Sequence, residues 1–158
     1  MTRPRTIHIA SWDDRFLAWL VDVLLVGAVL SGLGAVAGVF SLVTGSLSVT
    51  TPFAGLNGLA LFTYWTVLEG RQGQSAGKMV MDIAVRDERG DPIDYGTAAV
   101  ESFGKAFLLP LDCLIGWLAY EEEGLRLFNR LSSTIVVEAD EDETAKPDDV
   151  EYVYPSEE

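Results

Sequence analysis

Asp22 is the residue whose type and setting most clearly suggest chemistry. It is the one ionisable residue within residues 16–40, a run of 25 residues. A helix rises about 1.5 Å per residue, so this run is long enough to cross a hydrocarbon core of about 30 Å. A bare carboxylate at such a depth costs at least about 3 kcal/mol, and acids inside membrane helices therefore tend to be paired or functional. The run predicts a membrane-spanning helix built around one carboxylate.

Arg15, Ala18 and Asp22 share one stripe of that helix, because they stand at positions i, i+3 and i+7. Two turns separate Arg15 from Asp22, and the long arginine side chain can narrow the gap. Asp22 either exchanges protons on an ion path, with Asp112 facing it, or hydrogen-bonds backbone and arginine groups and sets helix packing. The residues leave both roles open.

The sequence lacks the residues that a nucleotide site or a zinc site would need. Residues 73–78 suggest a phosphate-binding loop, but a Walker loop needs glycine where this chain has Gln72 and serine or threonine where it has Met79. His8 and Cys113 are the single histidine and the single cysteine, far apart in the chain, so a zinc site is not expected. We therefore expect no catalytic residues, no metal and no cofactor, and we do not expect an enzyme.

Three apolar segments and an acidic end organise the chain. We expect a polar lead at residues 1–11, a membrane domain at residues 12–138 and an acidic, disordered tail at residues 139–158. Residues 16–40 and 53–68 predict two transmembrane helices, and Tyr64 and Trp65 suit a membrane interface. The third segment, residues 106–120, would cover about 22 Å and contains Pro110 and Asp112. A full span and a re-entrant segment both remain open for it.

The polar residues between these segments predict small β elements. Residues 79–85 and 93–95 alternate around a turn rich in Gly, Pro and Asp, which predicts a β-hairpin. Residues 97–105 predict a short amphipathic helix, and residues 132–137 predict a C-terminal strand with the hairpin as its partner. The expected fold is an α-helical integral membrane protein with a small β-hairpin and a C-terminal strand.

Small residues repeat every four positions in the first helix, and they predict a face that packs against another helix. The face comprises Gly27, Ser31, Gly34, Ala35 and Gly38. A chain with so few crossings is small for a transporter unless it associates, so we expect a homo-oligomer or another membrane protein as partner.

Charge indicates the location and the partners. The net charge is −13, and residues 138–158 hold ten acids against one lysine, which argues against nucleic acid and suits a high-salt, halophilic cytoplasm. Arginines and lysines flank the first two apolar segments, whereas the loop between those segments has none. The positive-inside rule then predicts a multi-pass protein of the cell membrane, in contact with the lipid bilayer, with a cytoplasmic N-terminus.

Three stretches together resemble the RDD family of small integral membrane proteins. The first is Arg15-Phe-Leu-Ala-Trp-Leu-Val-Asp22; the second is Gly73-Gln-Ser75-Ala-Gly77-Lys78 with Ala84, Val85 and Gly90; the third is residues 126–137, including Asn129. The resemblance covers roughly residues 12–138. Two positions depart from the family pattern: Asn129 replaces a usual aspartate, and Glu101-Ser102 replaces a frequent Arg-Asn.

The resemblance implies a membrane protein, although the family's general activity is undefined and some members are linked to ion/proton exchange. It implies that Arg15, Asp22, Asp112 and Asn129 form the family motif or an ion and proton path. Our primary hypothesis is a membrane assembly or scaffold component. The alternative is a transporter coupled to a proton or monovalent cation, with Asp22 as its intramembrane carboxylate.

Overall fold

A computed structural model of the chain describes residues 5–45, 56–108, 132–139 and 150–154. Four helices and four strands lie in these residues. In chain order they are β1 (Arg5–His8), α1 (Trp12–Thr44), α2 (Leu56–Gln72), α3 (Ala76–Val80), β2 (Ile83–Asp87), α4 (Tyr95–Phe107), β3 (Thr134–Glu138) and β4 (Val150–Val153).

The helix α1 is the dominant element, with 33 residues and a mean hydropathy of 2.3 over its most apolar window. Ser11 caps its N-terminus by accepting the N–H of Asp14 at 3.1 Å, and Asp13 and Asp14 lie in the first turn. Gly45 ends the helix in the left-handed region, at φ 67°. Among the described residues, α1 is the one helix that is long and apolar enough to span a membrane. The helix α2, whose 17 residues cover about 26 Å, overlaps the second span predicted at residues 53–68, and its crossing of a membrane stays a prediction.

The helices α2 and α4 lie antiparallel. Gly70, near the end of α2, lies against Tyr95 at the start of α4, and Gly58, near the start of α2, lies against the ring of Phe107. Between these points the ring of Phe62 meets that of Phe103, with centroids 6.5 Å apart. The amphipathic helix predicted at residues 97–105 is confirmed and is longer than expected.

The strands form two two-stranded sheets. β2 pairs antiparallel with β3 in the register Ile83↔Glu138 to Asp87↔Thr134, and β1 pairs parallel with β4. The isolated bridge Ile9↔Val137 connects the two sheets, and buried side chains pack there, namely Ile7, Ile9, Ile135 and Val137. The predicted C-terminal strand is therefore confirmed as β3, and its partner is the single strand β2, which overlaps the first arm of the predicted hairpin.

The predicted hairpin between residues 79–85 and 93–95 is not the arrangement found. Met79 and Val80 belong to α3, Tyr95 begins α4, and Arg86↔Pro92 is an isolated bridge. The reason is helix capping: the side chain of Ser75 accepts the N–H of Lys78 and that of Asp94 accepts the N–H of Thr97, so both flanks of β2 become helical. The strand obtains its ladder from β3 instead.

The predicted disordered tail contains an ordered strand, Val150–Val153. Its valines and tyrosine favour β structure, and its partner is β1. The two strands lie at opposite ends of the chain, so no local sequence pattern predicts their pairing. The division of the chain at residues 11 and 138 stays a prediction.

Candidate functional site

One stripe of α1 is buried. Arg15, Ala18 and Asp22 are exposed by 4%, 1% and 1%, which is the face that their spacing predicts. Along α1 as a whole most of the large apolar side chains are exposed, such as Leu24 at 64% and Val36 at 70%. The polar stripe is thus the side of α1 that meets the rest of the protein.

The Asp22 carboxylate accepts four hydrogen bonds. Its Oδ1 accepts the Tyr64 hydroxyl at 2.8 Å and the Gly77 N–H at 2.7 Å. Its Oδ2 accepts the Trp65 Nε1–H at 2.8 Å and the Ser75 hydroxyl at 2.6 Å. Two donors come from α2 and two from the start of α3, so one side chain ties three helices together. Hydrogen bonds to a charged acceptor are worth about 1.5–3 kcal/mol each, which compensates for the burial of the charge.

Trp65 corrects a sequence-based expectation. It was expected at a membrane interface, but it is 1% exposed and its indole N–H points to Asp22. An indole has an apolar body and one N–H donor, so a buried acid can hold it as readily as a headgroup region can. The sequence does contain a feature that could have indicated this contact: one acid in the first apolar segment, and two aromatic hydrogen-bond donors, Tyr64 and Trp65, in the second.

The motif at residues 73–78 builds the first turn of α3 against Asp22. The Ala76 N–H donates to the Tyr64 hydroxyl at 3.0 Å, the Gly77 N–H to Asp22, and the Lys78 N–H to the Ser75 hydroxyl at 3.3 Å. A helix start leaves its first N–H groups without intrahelical partners. Here the acid and its neighbours satisfy three of them.

The two glycines of this motif are required by close approach. A Cβ on Gly77 would collide with the carbonyl oxygen of Ala18 and would lie 3.0 Å from Cγ of Asp22. Gly73 has φ 73°, and its carbonyl accepts the Val85 N–H at 2.7 Å. A side chain is disfavoured at both positions, so the motif serves contact between α3 and α1 and the start of β2.

A buried ionic cluster, defined here as Glu69, Lys78, Glu101 and Lys105, lies beside the Asp22 network. Lys105 Nζ is 2.6 Å and 2.8 Å from the two carboxylate oxygens of Glu69 and 3.4 Å from Oε1 of Glu101. Lys78 Nζ is 3.0 Å from Glu69 Oε1 and 3.7 Å from Glu101 Oε1. All four side chains are at most 8% exposed. Two ammonium groups thus balance two carboxylates inside the protein.

The environment of the ionic cluster is poorly hydrated. Burial lowers the pKa of the Lys78 ammonium, and the carboxylates of Glu101 and Glu69 oppose that shift. Removing one partner of a buried ion pair typically costs about 3–5 kcal/mol, because the other charge is left unpaired. The cluster therefore joins α2, α3 and α4 as Asp22 joins α1, α2 and α3.

A small polar cavity separates the two networks. It has a volume of about 20 Å³, and five charged side chains and three apolar ones line it: Arg15, Asp22, Lys78, Glu101 and Lys105, with Trp19, Trp65 and Val136. A cavity of this size holds about one water molecule. Arg15 Nη2 also donates to the Val136 carbonyl at 3.5 Å, so the cavity borders the strand β3.

Part of this site is predictable from the sequence. Arg15, Asp22, Gly73, Ser75, Gly77 and Lys78 come together, whereas Asp112 and Asn129 lie outside the described residues. Tyr64, Glu69 and Lys105 were missed as site residues. Glu101 and Ser102, which depart from the family pattern, both lie inside the protein: Glu101 belongs to the ionic cluster and Ser102 is fully buried. A glutamate suits this position because two lysines lie beside it.

Other predictions about the site remain open. Within the described residues nothing lies within 4 Å of a Cβ built on Gly27, Gly34 or Gly38, so the proposed packing face has no partner there. Nor do the described residues bring three His, Cys, Asp or Glu side chains together as a metal site would require.

A model of the RDD family matches residues 9–129 of the chain. This range includes Asp22, the 73–78 motif and the ionic cluster. No curated protein and no solved structure matches the chain.

Proposed function

The chain belongs to the RDD family, whose members are membrane proteins without a defined activity, and on this premise we propose that it is a multi-pass membrane assembly or scaffold component. The observation that carries this proposal is the set of four hydrogen bonds to Asp22. Each oxygen of the carboxylate accepts two donors. The four donors belong to α2 and α3, so the carboxylate holds these two helices against α1. We call this structural role of Asp22 a joint.

This joint argues against a mobile proton carrier. Protonation of Asp22 would place a new O–H donor among four groups that already donate to it. At least one donor would then lose its acceptor, and a buried donor without a partner costs about 1–3 kcal/mol. A carboxylate that exchanges protons in each cycle would have to break and reform these bonds, whereas a structural joint keeps them.

The proposed assembly surface is the small-residue face of α1 beyond Asp22. On the opposite side of the same part of α1, large apolar side chains are exposed too, such as Val29 at 59% and Leu33 at 55%. A helix that is apolar all round is expected in lipid or in contact with other helices. The small residues at four-residue spacing allow close approach of a second helix, where packing replaces the hydrophobic drive. These features support a second copy of the chain, or another membrane protein, as partner.

The proposed orientation places the N-terminus in the cytoplasm. Arg3 and Arg5 precede α1, Arg15 lies in its first turns and Arg71 lies in the last turn of α2, whereas residues 16–70 contain no lysine or arginine. The positive-inside rule supports a cytoplasmic location for both flanks.

Association in liposomes tests the assembly proposal. Gly27→Leu and Gly34→Leu place bulk on the small-residue face, and Val29→Leu is the control for a similar change at an exposed position. We expect energy transfer between labelled copies to fall for the two glycine variants and to persist for the control. Equal transfer in all three variants would show that this face does not associate. If wild-type copies transfer no energy, the partner is not a second copy, and cross-linking in native membranes becomes the test.

The polar cavity favours a second candidate, a transporter for a proton or monovalent cation. Asp22 and Arg15 line a space for about one water, together with three charged side chains of the ionic cluster, Lys78, Glu101 and Lys105. Proteoliposomes carrying an internal pH dye would report proton movement driven by Na⁺, K⁺ or Li⁺. Flux in the wild type that is lost in a folded Asp22→Asn variant would support transport. Absence of flux with all three cations would leave the scaffold proposal.

A further inference from the structure

The helix α4 has its charges inside and its large apolar side chains outside. Glu101 and Lys105 are 3% and 6% exposed, whereas Val100, Phe103 and Phe107 are 39%, 46% and 48% exposed. Positions 100, 103 and 107 share one stripe of the helix, and 101 and 105 share another. A surface helix in water shows the reverse pattern, with apolar residues toward the core and charges toward solvent.

We propose that the outer face of α4, defined as Val100, Phe103 and Phe107, contacts the acyl chains of the bilayer, so that α4 is a membrane-embedded helix beside α2. The sequence does not predict this, because Glu101 and Lys105 interrupt the apolar residues of the helix. Both charges are neutralised inside the protein by the ionic cluster, with Lys105 Nζ 2.6 Å from Glu69. The outer face therefore presents no charge to lipid.

The position of α4 along α2 supports a lipid environment. Tyr95 lies beside Gly70 and Phe107 beside Gly58, so the two helices run together for 12 residues, or about 18 Å. This is more than half of a 30 Å hydrocarbon core. If α2 crosses the membrane, as the proposed multi-pass arrangement requires, its neighbour α4 lies at the same depth.

A groove between the two helices has the matching chemistry. Phe62 from α2 and Ala99, Val100 and Phe103 from α4 line an open cavity of about 350 Å³, and its lining is apolar. Water in such a groove would be costly, whereas an acyl chain would find apolar contacts along its length. The groove is continuous with the outer face of α4, so one class of molecule can cover both.

Single-cysteine labelling of the full chain in liposomes tests this inference. In a Cys113→Ser background, bimane would be placed at Phe103→Cys and Phe107→Cys on α4. The controls are Val29→Cys on α1 for lipid, Arg89→Cys in the exposed turn after β2 for water, and Leu59→Cys on α2. The probe is phosphatidylcholine with brominated acyl chains, compared with aqueous iodide.

We expect brominated lipid to quench the two α4 labels at least half as strongly as the Val29 label, and iodide to quench mainly the Arg89 label. Iodide quenching on α4, or protection from both quenchers because protein covers the face, would overturn the proposal. Quenching by lipid at Leu59 without quenching at Phe103 would overturn it while the multi-pass arrangement stands. Loss of lipid quenching at Leu59 as well would refute the multi-pass arrangement itself.

A second measurement avoids the labels. Phe103→Leu and Phe103→Glu change the same position without touching the ionic cluster. We expect membrane-inserted protein to persist with leucine and to fall at least several-fold with glutamate, since a charge facing lipid is costly. Equal amounts of the two variants would contradict lipid contact.

Discussion

Substitution of Asp22 should reveal its role as a joint through a specific pattern of losses. Three of its four donors are buried, namely the Trp65 indole N–H, the Ser75 hydroxyl and the Gly77 N–H. A buried donor without an acceptor costs about 1–3 kcal/mol, and a serine hydroxyl can turn toward another acceptor. We therefore expect Asp22→Ala to lower the free energy of unfolding by roughly 2–5 kcal/mol.

Asp22→Asn should be milder but not neutral. An amide has one oxygen and one NH₂ group, so one side of the site must receive a donor. If the NH₂ group occupies the position of Oδ2 it faces the Trp65 N–H, and if it occupies that of Oδ1 it faces the Gly77 N–H. Either orientation orphans one N–H, and the expected loss is about 1–3 kcal/mol.

A double-mutant cycle with Trp65→Phe isolates this effect. Phenylalanine removes the indole N–H, so the amide of Asp22→Asn can face that side and donate to Ser75. The double variant should be more stable than the sum of the two single losses predicts, by about 1–2 kcal/mol. The assay is reversible unfolding in mixed micelles by titration with sodium dodecyl sulfate, followed by circular dichroism. Additive losses within about 0.5 kcal/mol, or a fully stable Asp22→Ala variant, would show that Asp22 does not hold the three helices together.

Three further predictions concern other parts of the structure. Gly77→Ala should lower the free energy of unfolding by about 1–3 kcal/mol, because the added Cβ meets the Ala18 carbonyl. Gly32→Ala is the control: nothing lies within 4 Å of its Cβ, so the free energy of unfolding should not change in the same titration. The Thr97 N–H holds the pKa of the exposed Asp94 carboxylate below its ordinary 3.8, so the contribution of Asp94 to stability is complete above that pH and is lost as the pH falls through the depressed pKa. Melting curves recorded from pH 5 downward, to below the depressed pKa, should show this loss in the wild type and not in Asp94→Asn. Finally, tags at the two chain ends should be cleaved from the same side of sealed vesicles, since β1 and β4 pair; cleavage from opposite sides would contradict that pairing.

Local patterns predicted the parts of the structure that depend on local physics. The long apolar run, its acidic first turn and the spacing of Arg15 and Asp22 sufficed to place α1 and its buried stripe, because a helix repeats every 3.6 residues whatever surrounds it. The strand at residues 132–137 was likewise visible from its β-branched residues.

The ionic cluster could not be predicted in this way. Glu69 and Lys105 are separated by 36 residues, and their contact depends on the antiparallel packing of α2 and α4. From the sequence, Glu69 marks the boundary of an apolar segment, and the Glu101–Lys105 pair is typical of a solvent-exposed helix. Only the placement of α4 against α2 turns both helices' charges inward.

The strand pairings constrain how often the chain can cross a membrane. β1 precedes α1 and β4 follows the last described helix, yet the two strands are hydrogen-bonded partners, with Arg5 opposite Val150. Hydrogen-bonded strands lie on one side of a bilayer, so the number of crossings between them is even. In the proposed multi-pass arrangement α1 and α2 are two crossings, and a single further crossing that left the tail outside would be incompatible with this pairing. The third apolar segment, residues 106–120, lies mostly outside the described residues, so its two alternatives stay predictions. The pairing of β1 with β4 is the constraint that the whole path between them has to meet, and cleavage of the two end tags from opposite sides of sealed vesicles would contradict it.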